Sequence, residues 1–366
     1  MPVSPDHQHA NGEIDIASLH AQDSTGLLAR IDRAVVWDIP LTTPFRGITR
    51  RDGVLLHGPG GWGEVAPFWD YGLEASAPWL ASGLCQALGN SLLPRYRETI
   101  SVNVTVPEIS AQDASDLVRA SGARTAKVKV SGSSDKRSAD LERLEAVRSA
   151  LGRSGKVRID VNGAWDLDTA RENLPLMDRA AGGLEYAEQP CATVYDLADL
   201  RRAVDVPIAA DESIRLSANP LEIVHRRAAD VAILKVAPLG GVHRALDMAE
   251  RLGLPAVVSS ALDTSVGIMA GATLAFSLPS LSHACGLGTT RLLTQDVAEP
   301  SVRPSNGTLR LDAAAPVSER LLNEVKAGPY LTTHWQTRLL HLAGALHARR
   351  QREARDPSRA VAGLPL

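Results

Sequence analysis

The sequence predicts an α/β protein in which a parallel β/α barrel follows a separate α+β unit. From about residue 100, eight short apolar runs alternate with seven amphipathic segments, which is the pattern of such a barrel. The first run ends at Val106-Pro107-Glu108 without the glycine-rich loop that a doubly wound open sheet requires there. The 366 residues suffice for a barrel of about 200–250 residues and a second unit.

The first hundred residues divide into a tail and the α+β unit. Residues 1–26 are polar and acidic, contain His7 and His9, and predict a flexible tail rather than a metal site. Residues 27–99 begin with short extended runs and continue with helical segments, which predicts the α+β unit. Its glycine cluster at 58–63 lacks the Lys-Ser/Thr of a phosphate loop and therefore predicts a turn.

The barrel is predicted over residues 100–290, element by element. Leu141, Leu144, Val147 and Leu151 recur at helical spacing, for example, and Pro175 predicts a kink or early end in the third helix. The predicted strands are Ser101–Val106, Ala126–Val130, Val157–Val161, Leu184–Ala187, Pro207–Ala210, Val231–Val236, Ala256–Val258 and a weak run near His283–Gly286. The predicted helices are Ala114–Ala120, Ala139–Leu151, Asp168–Ala180, Asp196–Val204, Leu221–Ala229, Val242–Leu252 and Ser265–Leu278.

Composition limits the kinds of binding partner and the cellular compartment that are expected for this chain. The net charge of −3 carries no basic excess, so neither nucleic acid nor a membrane surface is expected as a partner. The apolar stretch 265–281 is short and interrupted, which predicts a buried helix rather than a membrane span. Cys85, Cys191 and Cys285 are far apart and odd in number. Together with an N-terminus that does not resemble a signal peptide, they predict a cytoplasmic protein.

Charged residues at the ends of consecutive predicted strands are the informative signal. In a β/α barrel the carboxyl ends of the strands form the active face. Each charged position lies about one strand-helix unit from the next. In chain order they are Lys127 and Lys129 in the second strand, Asp160 in the third, Glu188 in the fourth, Asp211 in the fifth and Lys235 in the sixth.

The three carboxylates predict a metal site. Asp160, Glu188 and Asp211 would converge at the barrel mouth, where three anions repel one another unless a cation lies between them. Oxygen ligands without His or Cys favour a hard ion, with Mg²⁺ first and Mn²⁺ as a substitute.

The lysines flank the acidic residues on both sides. Lys127 and Lys129 are two residues apart, so both point to the same side of their strand. Burial and a neighbouring cation lower the pKa of a lysine, and the neutral amine can then act as a base. We therefore expect Lys129 and Lys235 to face each other across a substrate carboxylate bound to the metal.

Each of these residues alone has a simpler structural explanation. A single acid at a strand end is more often a helix cap or turn former, and a single strand lysine more often reaches solvent from an edge. The complete series at consecutive strand ends favours the functional interpretation.

With these residues the chain resembles the muconate cycloisomerase subgroup of the enolase superfamily. The resemblance covers about residues 30–325 and implies a (β/α)₇β barrel. It also implies that residues 27–99 form a capping domain completed by a C-terminal segment at 291–345, with a further flexible tail at 346–366. The motifs that resemble the family are Lys127-x-Lys129, Asp160-x-Asn162, Glu188-Gln189-Pro190, Asp211-Glu212-Ser213 and Lys235.

The resemblance also implies roles for these residues. Asp160, Glu188 and Asp211 would hold Mg²⁺, with Asn162 and Glu212 behind them. Lys129 would remove a proton next to the substrate carboxylate, Lys127 would tune it, and Lys235 would lie on the opposite face of the substrate. An α-proton of a carboxylate is very weakly acidic, so the ion is needed to stabilise the enediolate.

Further motifs resemble one branch of the subgroup, the dehydratases of menaquinone biosynthesis. They are Arg158, the run 234–241, the run 259–267 and the run 286–289, which begins at Gly286. The implied reaction is syn dehydration of 2-succinyl-6-hydroxy-2,4-cyclohexadiene-1-carboxylate to o-succinylbenzoate. Arg158 and Gly286 would contact that substrate, and Lys235 would stabilise the planar anion.

Two segments are candidates for further substrate contacts. Ser260, Thr264 and Ser265 could bind the succinyl carboxylate through hydroxyls and the amides that begin the following helix, or they could only cap that helix. Phe45-Arg46-Gly47 in the capping unit is expected to form a lid over the barrel mouth, or else a plain connection.

Other functions stay open. N-succinylamino acid racemases and dipeptide epimerases use the same two lysines, although the epimerases carry an Asp-x-Asp motif that 284–288 lacks. Acid-sugar dehydratases use a His base on a later strand, for which His283 is poorly placed. A catalytically silent metal-binding scaffold would tolerate loss of a lysine or carboxylate, whereas this sequence keeps all six of them. A Schiff-base aldolase acting through Lys235 would keep its activity in EDTA.

Overall fold

The computed structural model describes residues 12–310 and 316–355. His7 and His9 lie outside this part of the chain. The strands are β1 (Arg33–Phe45), β2 (Ile48–Gly58), β3 (Gly61–Val65), β4 (Thr99–Ser101), β5 (Val104–Val106), β6 (Thr125–Lys129), β7 (Lys156–Asp160), β8 (Leu184–Glu188), β9 (Ile208–Ala210), β10 (Val231–Lys235), β11 (Ala256–Ser259) and β12 (Thr308–Arg310). The helices are α1 (Ile16–Gln22), α2 (Leu73–Ala87), α3 (Ala111–Ser121), α4 (Arg137–Leu151), α5 (Leu167–Ala180), α6 (Val194–Ala203), α7 (Glu212–Arg215), α8 (Glu222–His225), α9 (Val236–Leu239), α10 (Val242–Leu252), α11 (Ser265–Ser277), α12 (Glu319–Glu324) and α13 (Pro329–Arg355).

The predicted α+β unit is an antiparallel sheet, in the order β1-β2-β3, covered by α2 and α13. At the tip of the first hairpin, Arg46 (φ 51°) and Gly47 (φ 75°) both adopt left-handed conformations, as tight hairpin turns require. The predicted turn at 58–63 is the second hairpin. A side chain on Gly63 would collide with the carbonyl oxygen of Gly83 in α2, so glycine lets the sheet approach this helix.

The barrel strands are parallel and follow chain order from β5 to β11. The predicted eighth strand is reduced to two single bridges, from Cys285 to Val102 and from Gly286 to Ser259, and these close the ring. The predicted first strand is divided, because β4 pairs with β12 outside the barrel. No described helix is both long and apolar enough to cross a bilayer.

The barrel helices match the prediction with three differences. The helix predicted over 221–229 is the single turn α8, and the short helices α7 and α9 were not predicted. Helix α5 continues through Pro175. The loss of one backbone hydrogen bond there does not end a helix that buries Leu174 and Met177 against the barrel.

Both predicted tails are wrong over the part that the structure describes. Ile14 and Leu19 are buried in the core of the capping domain, and the Asp15 side chain caps α1. At the other end α13 continues to Arg355 and buries Leu346 in the same core. The basic stretch from 347 to 355 belongs to this helix, and Glu353 within it pairs with Arg244 of the barrel.

Candidate active site

The predicted lysines and carboxylates meet at the carboxyl ends of five neighbouring strands, β6 to β10. The register aligns Lys129 with Asp160 and Asp160 with Glu188, so these side chains project at the same level. Asp211 directly follows β9 and Lys235 ends β10. The sheet order therefore places Lys129 and Lys235 on opposite sides of the acidic residues.

Lys127 and Lys129 bind the first two carboxylates. Lys127 Nζ lies 2.8 Å from both Asp160 Oδ2 and Glu188 Oε1. Lys129 Nζ lies 2.7 Å from Asp160 Oδ2 and 2.5 Å from Asn162 Oδ1. Asn162 also donates to Glu212 Oε1 (3.2 Å), so both residues predicted behind the ligands belong to this network.

Asp211 has two cationic neighbours. Lys235 Nζ lies 2.5 Å from its Oδ2, and Arg215 Nε lies 2.9 Å from its Oδ1. Arg215 also donates to Glu212 and to the hydroxyl of Tyr71 in the capping domain. Arg215 was not among the predicted site residues, although its position four residues after Asp211 was a usable signal. Tyr71 carries no local signal of this kind.

Burial and paired charges shift the pKa values of these groups in opposite directions. Burial raises the pKa of Glu188 to about 7, with help from the charge of Asp160. Burial also raises the pKa of Asp160, but Lys127 and Lys129 outweigh it and hold that pKa well below its usual range. Burial, with the charge of Lys127, lowers the pKa of Lys129.

Among the described residues, no group of three or more His, Cys, Asp or Glu side chains is arranged to hold a metal as it stands. Oxygens of Asp160, Glu188 and Asp211 instead form ion pairs with the ammonium groups of Lys127, Lys129 and Lys235. The donor set nevertheless fits a hard cation, because all three side chains are buried carboxylates. Glu188 Oε2 in particular is buried without a hydrogen-bond partner, a state that costs free energy unless a ligand supplies one.

A cavity of about 40 Å³ opens on these residues. Its polar wall includes Lys127, Lys129, Asp160 and Lys235, and its apolar wall comes from both domains. The apolar contributors are Phe45, Phe68, Trp79, Pro238, Ala261 and Leu262. A larger cavity of about 200 Å³ beside β5 contains none of the charged strand-end residues, so the smaller one is the candidate active site.

The predicted lid segment reaches this cavity. Phe45 and Arg46 line it, and Lys129 Nζ lies 5.4 Å from the ring centre of Phe45. Arg46 donates to the Tyr71 hydroxyl (2.7 Å). The tip of the first hairpin is thus tied, through Tyr71, to the arginine that binds Asp211.

Ser260 also lines the cavity, whereas Arg158, Thr264, Ser265 and Gly286, which were predicted to bind substrate, do not. Arg158 is fully buried and binds Glu185 Oε2 (2.5 Å) and the carbonyl oxygen of Ala284. It lies two residues before Asp160, which ends β7. Its side chain therefore points to the same side of the strand as Asp160, but one layer deeper in the barrel. Gly286 does not line the cavity either; it pairs with Ser259 to close the barrel.

Thr264 and Ser265 form hydrogen bonds with acidic side chains from distant parts of the chain. The Thr264 hydroxyl and amide donate to Glu64 in β3. The Ser265 hydroxyl and amide donate to Asp296. The start of α11 therefore binds acidic side chains of the protein, and Thr264 caps the helix by accepting from the Val266 amide, which is the second of the two predicted alternatives.

Comparison with known proteins is consistent with this geometry. Residues 110–316 match the model of the enolase C-terminal domain-like family, and residues 36–87 match that of the enolase N-terminal domain-like family. The o-succinylbenzoate synthase of Thermobifida fusca (strain YX) is 52% identical over 305 residues, which cover 82% of this chain and 93% of the relative. The chain belongs to the o-succinylbenzoate synthase family of the enolase superfamily. The o-succinylbenzoate synthase of Mycobacterium ulcerans (strain Agy99) is 47% identical over 84% of the chain and 93% of its own length.

Solved structures show the same fold beyond the o-succinylbenzoate synthase family. The N-succinyl Arg/Lys racemase of Bacillus cereus superposes with a TM-score of 0.68 at 21% identity, covering 80% of this chain and 96% of the racemase. The muconate lactonizing enzyme of Pseudomonas fluorescens gives 0.66 at 22% identity, covering 80% and 97%. At these identities the likeness concerns the fold, and it confirms the predicted barrel with a capping domain.

Proposed function

We propose that this protein is a Mg²⁺-dependent o-succinylbenzoate synthase of menaquinone biosynthesis. It would dehydrate 2-succinyl-6-hydroxy-2,4-cyclohexadiene-1-carboxylate. The observation that supports this best is the arrangement of Lys129 and Lys235 on opposite sides of three buried carboxylates. The relatives with that name, about half identical over most of the chain, support the same substrate.

Asp160, Glu188 and Asp211 would hold the ion, with Mn²⁺ as a substitute. Bound there, the ion would supply positive charge to the oxygens of the substrate carboxylate. Lys127, between Asp160 and Glu188, would hold those two carboxylates in place. Asn162 and Glu212 would orient the same cluster from behind through their mutual hydrogen bond.

Lys129 and Lys235 would have different roles. Lys129 would take the proton from the carbon next to the carboxylate, which leaves the electron pair on the substrate as an enediolate. The resulting ammonium would return the proton to the departing hydroxyl, so that the carbon–oxygen bond breaks and water leaves. Lys235 would stabilise the planar anion by its charge from the other side of the ring.

A second candidate is N-succinylamino acid racemisation. Lysines on both sides of the substrate suit this reaction as well, because one base is needed on each face. Dipeptide epimerisation is less favoured, since the segment 284–288 supplies no acid for a substrate ammonium group. A scaffold without activity is disfavoured because Lys129 and Lys235 both line the cavity.

We place this activity in the cytoplasm, on a small carboxylate substrate and without a nucleic acid or membrane partner. The net charge of −3 supports this placement. The three cysteines are buried as free thiols, which suits a reducing compartment.

The deciding experiment is an assay of aromatic product from the cyclohexadiene substrate with Mg²⁺. We expect turnover in the wild type, and its loss in EDTA and in Lys129→Ala. Lys136→Ala is the matched control, because Lys136 is an exposed lysine that pairs with Glu108 on the surface. Absence of turnover in the wild type would reject the synthase, and the same preparation would then be tested on N-succinylamino acids. Activity that survives EDTA would instead favour a metal-free lysine mechanism.

A further inference from the structure

Two apolar residues of the cavity wall, Phe68 and Leu262, meet at one buried arginine of the capping domain. Arg51 in β2 is only 2% exposed. Its guanidinium carbon lies 4.1 Å from the ring centre of Phe68, and its Nε donates to the carbonyl oxygen of Leu262 (3.3 Å). A further guanidinium nitrogen donates to the carbonyl oxygen of Ala66. One side chain therefore contacts both domains directly behind the wall.

The backbone at Leu262 needs such support. Its φ of +65° lies in the left-handed region, which is uncommon for a residue other than glycine, asparagine or aspartate. Such conformations persist where surrounding contacts determine them, and they cluster at functional sites. Here the contacts come from Arg51 on the Leu262 carbonyl and from Asp263 Oδ2, which accepts from the Ala261 amide (3.0 Å).

Two buried acidic side chains lie near Arg51. Glu64 and Asp263 both lie close enough to interact with its charge. Glu64 also accepts from the amides of Thr264 (3.2 Å) and Gly267 (3.0 Å), the residues that begin α11 directly after the wall. A planar guanidinium can bind carbonyl oxygens of two segments at fixed angles, whereas an ammonium acts as a single point.

We propose that Arg51 is a positioning residue for substrate recognition, which fixes the wall of Phe68 and Leu262 against the apolar part of the substrate. This inference rests on the proposed function for the identity of that substrate. Neither Arg51 nor its acidic partners line the cavity, so Arg51 acts through the two wall residues. Its loss should weaken substrate binding more than it slows proton transfer at Lys129.

The test is Arg51→Lys, which keeps the charge but not the two-carbonyl geometry. We expect KM for the cyclohexadiene carboxylate to rise about tenfold while kcat stays within about twofold. Arg148→Lys is the matched control, because Arg148 also donates to backbone carbonyls, those of Gly152, Gly155 and Gly183, at the opposite end of the barrel. It should lower stability without changing KM. An unchanged KM in Arg51→Lys, or an equal rise in both variants, overturns the proposal.

Hydrogen exchange provides a readout that does not need turnover. In Arg51→Lys the amides of 260–267 should exchange faster than in the wild type, while the amides of β6 to β8 do not change. Equal exchange at 260–267 also overturns the proposal. If the wild type lacks synthase activity, the proposed function fails, but this measurement still decides whether Arg51 fixes the wall.

A second variant covers the case in which Arg51→Lys does not fold. Leu262→Gly adopts a φ of +65° without strain and removes one wall side chain. We expect a comparable rise in KM from this variant. A KM equal to that of the wild type would show that the wall does not contact the substrate, and would equally overturn the inference.

Discussion

Lys127 Nζ is equidistant from Asp160 and Glu188, at 2.8 Å from an oxygen of each, and all three side chains are almost fully buried. One ammonium thus separates two carboxylates inside the barrel. Removal of one member of a buried ion pair leaves an uncompensated charge, which costs about 3–5 kcal/mol. The same residue is therefore structural as well as part of the active site.

Lys127→Met should lower the free energy of unfolding by about 3–5 kcal/mol in EDTA. Saturating Mg²⁺ should restore part of this loss, because a cation bound by the carboxylates replaces the missing ammonium. Urea unfolding with and without Mg²⁺ measures both effects. Lys156→Met is the control, since Lys156 is exposed, and should change stability by less than about 0.5 kcal/mol. Equal losses with and without Mg²⁺ would argue against a metal at these carboxylates.

Glu188→Gln should weaken Mg²⁺ binding at least tenfold. The buried oxygen without a partner, Glu188 Oε2, is the atom that this change replaces by an amide. Isothermal titration with Mg²⁺ gives the affinity without any substrate. Glu222→Gln, at a half-buried surface pair with Arg226, should leave the affinity unchanged. Wild-type affinity in Glu188→Gln would exclude Glu188 as a ligand.

Tyr71→Phe should loosen the hairpin tip over the cavity. The Tyr71 hydroxyl accepts from Arg46 (2.7 Å) and Arg215 (2.6 Å), and a hydrogen bond of this kind contributes about 1 kcal/mol. We expect KM to rise about fivefold, and the free energy of unfolding to fall by no more than about 1–2 kcal/mol. Tyr330→Phe, which alters a residue that is 76% exposed, is the control. Similar kinetics in both variants would mean that the tip does not act through Tyr71.

Glu64 should make stability fall as pH rises from about 5 to 8. Burial, with the nearby charge of Asp263, raises its pKa from the ordinary 4.5 to about 8. Between these values the folded chain binds more protons at Glu64 than the unfolded chain, so raising the pH favours unfolding. The free energy of unfolding, measured against pH, should show a shallower decline in Glu64→Gln. Parallel curves for the two proteins would contradict this assignment.

A chain that ends at Ala345 would test the corrected boundary at the C-terminus. Deletion of 346–366 removes Leu346 from the capping core and the pair between Glu353 and Arg244. Loss of the buried leucine alone costs about 2–5 kcal/mol, and thermal unfolding should show it. Deletion of 356–366 leaves α13 complete to Arg355 and serves as the control. Equal melting temperatures for both would restore the flexible tail that the sequence predicted.

The sequence predicted the barrel and the charged strand ends because these depend on local order. Lys127, Lys129 and Asp160 had to share one side of the sheet once their strands were parallel and adjacent. The sequence did not show how deep in the barrel each charged side chain lies. Arg158 and Asp160 point to the same side of β7, but only the structure shows that Arg158 lies one layer deeper, against Glu185. A charged residue in a strand gives the same signal in both layers.

Partners from distant parts of the chain were the second limit. Thr264 and Ser265 match a helix start that binds an anion, and the sequence alone does not show that Glu64 and Asp296 supply it. The same limit explains the N-terminal tail. Its few apolar residues, Ile14 and Leu19, gave no periodic pattern, yet they pack in the core that α13 completes.

The position of α13 has a consequence for the order in which the protein is made. The capping domain takes its sheet from the first residues of the chain and Trp335, Leu339 and Leu342 of its core from the last helix. The barrel lies between them in sequence. On the ribosome the barrel strands therefore emerge and can pair while the capping sheet still lacks its final layer. Helix α13 can therefore complete the capping core only after the barrel segments that precede it have been made.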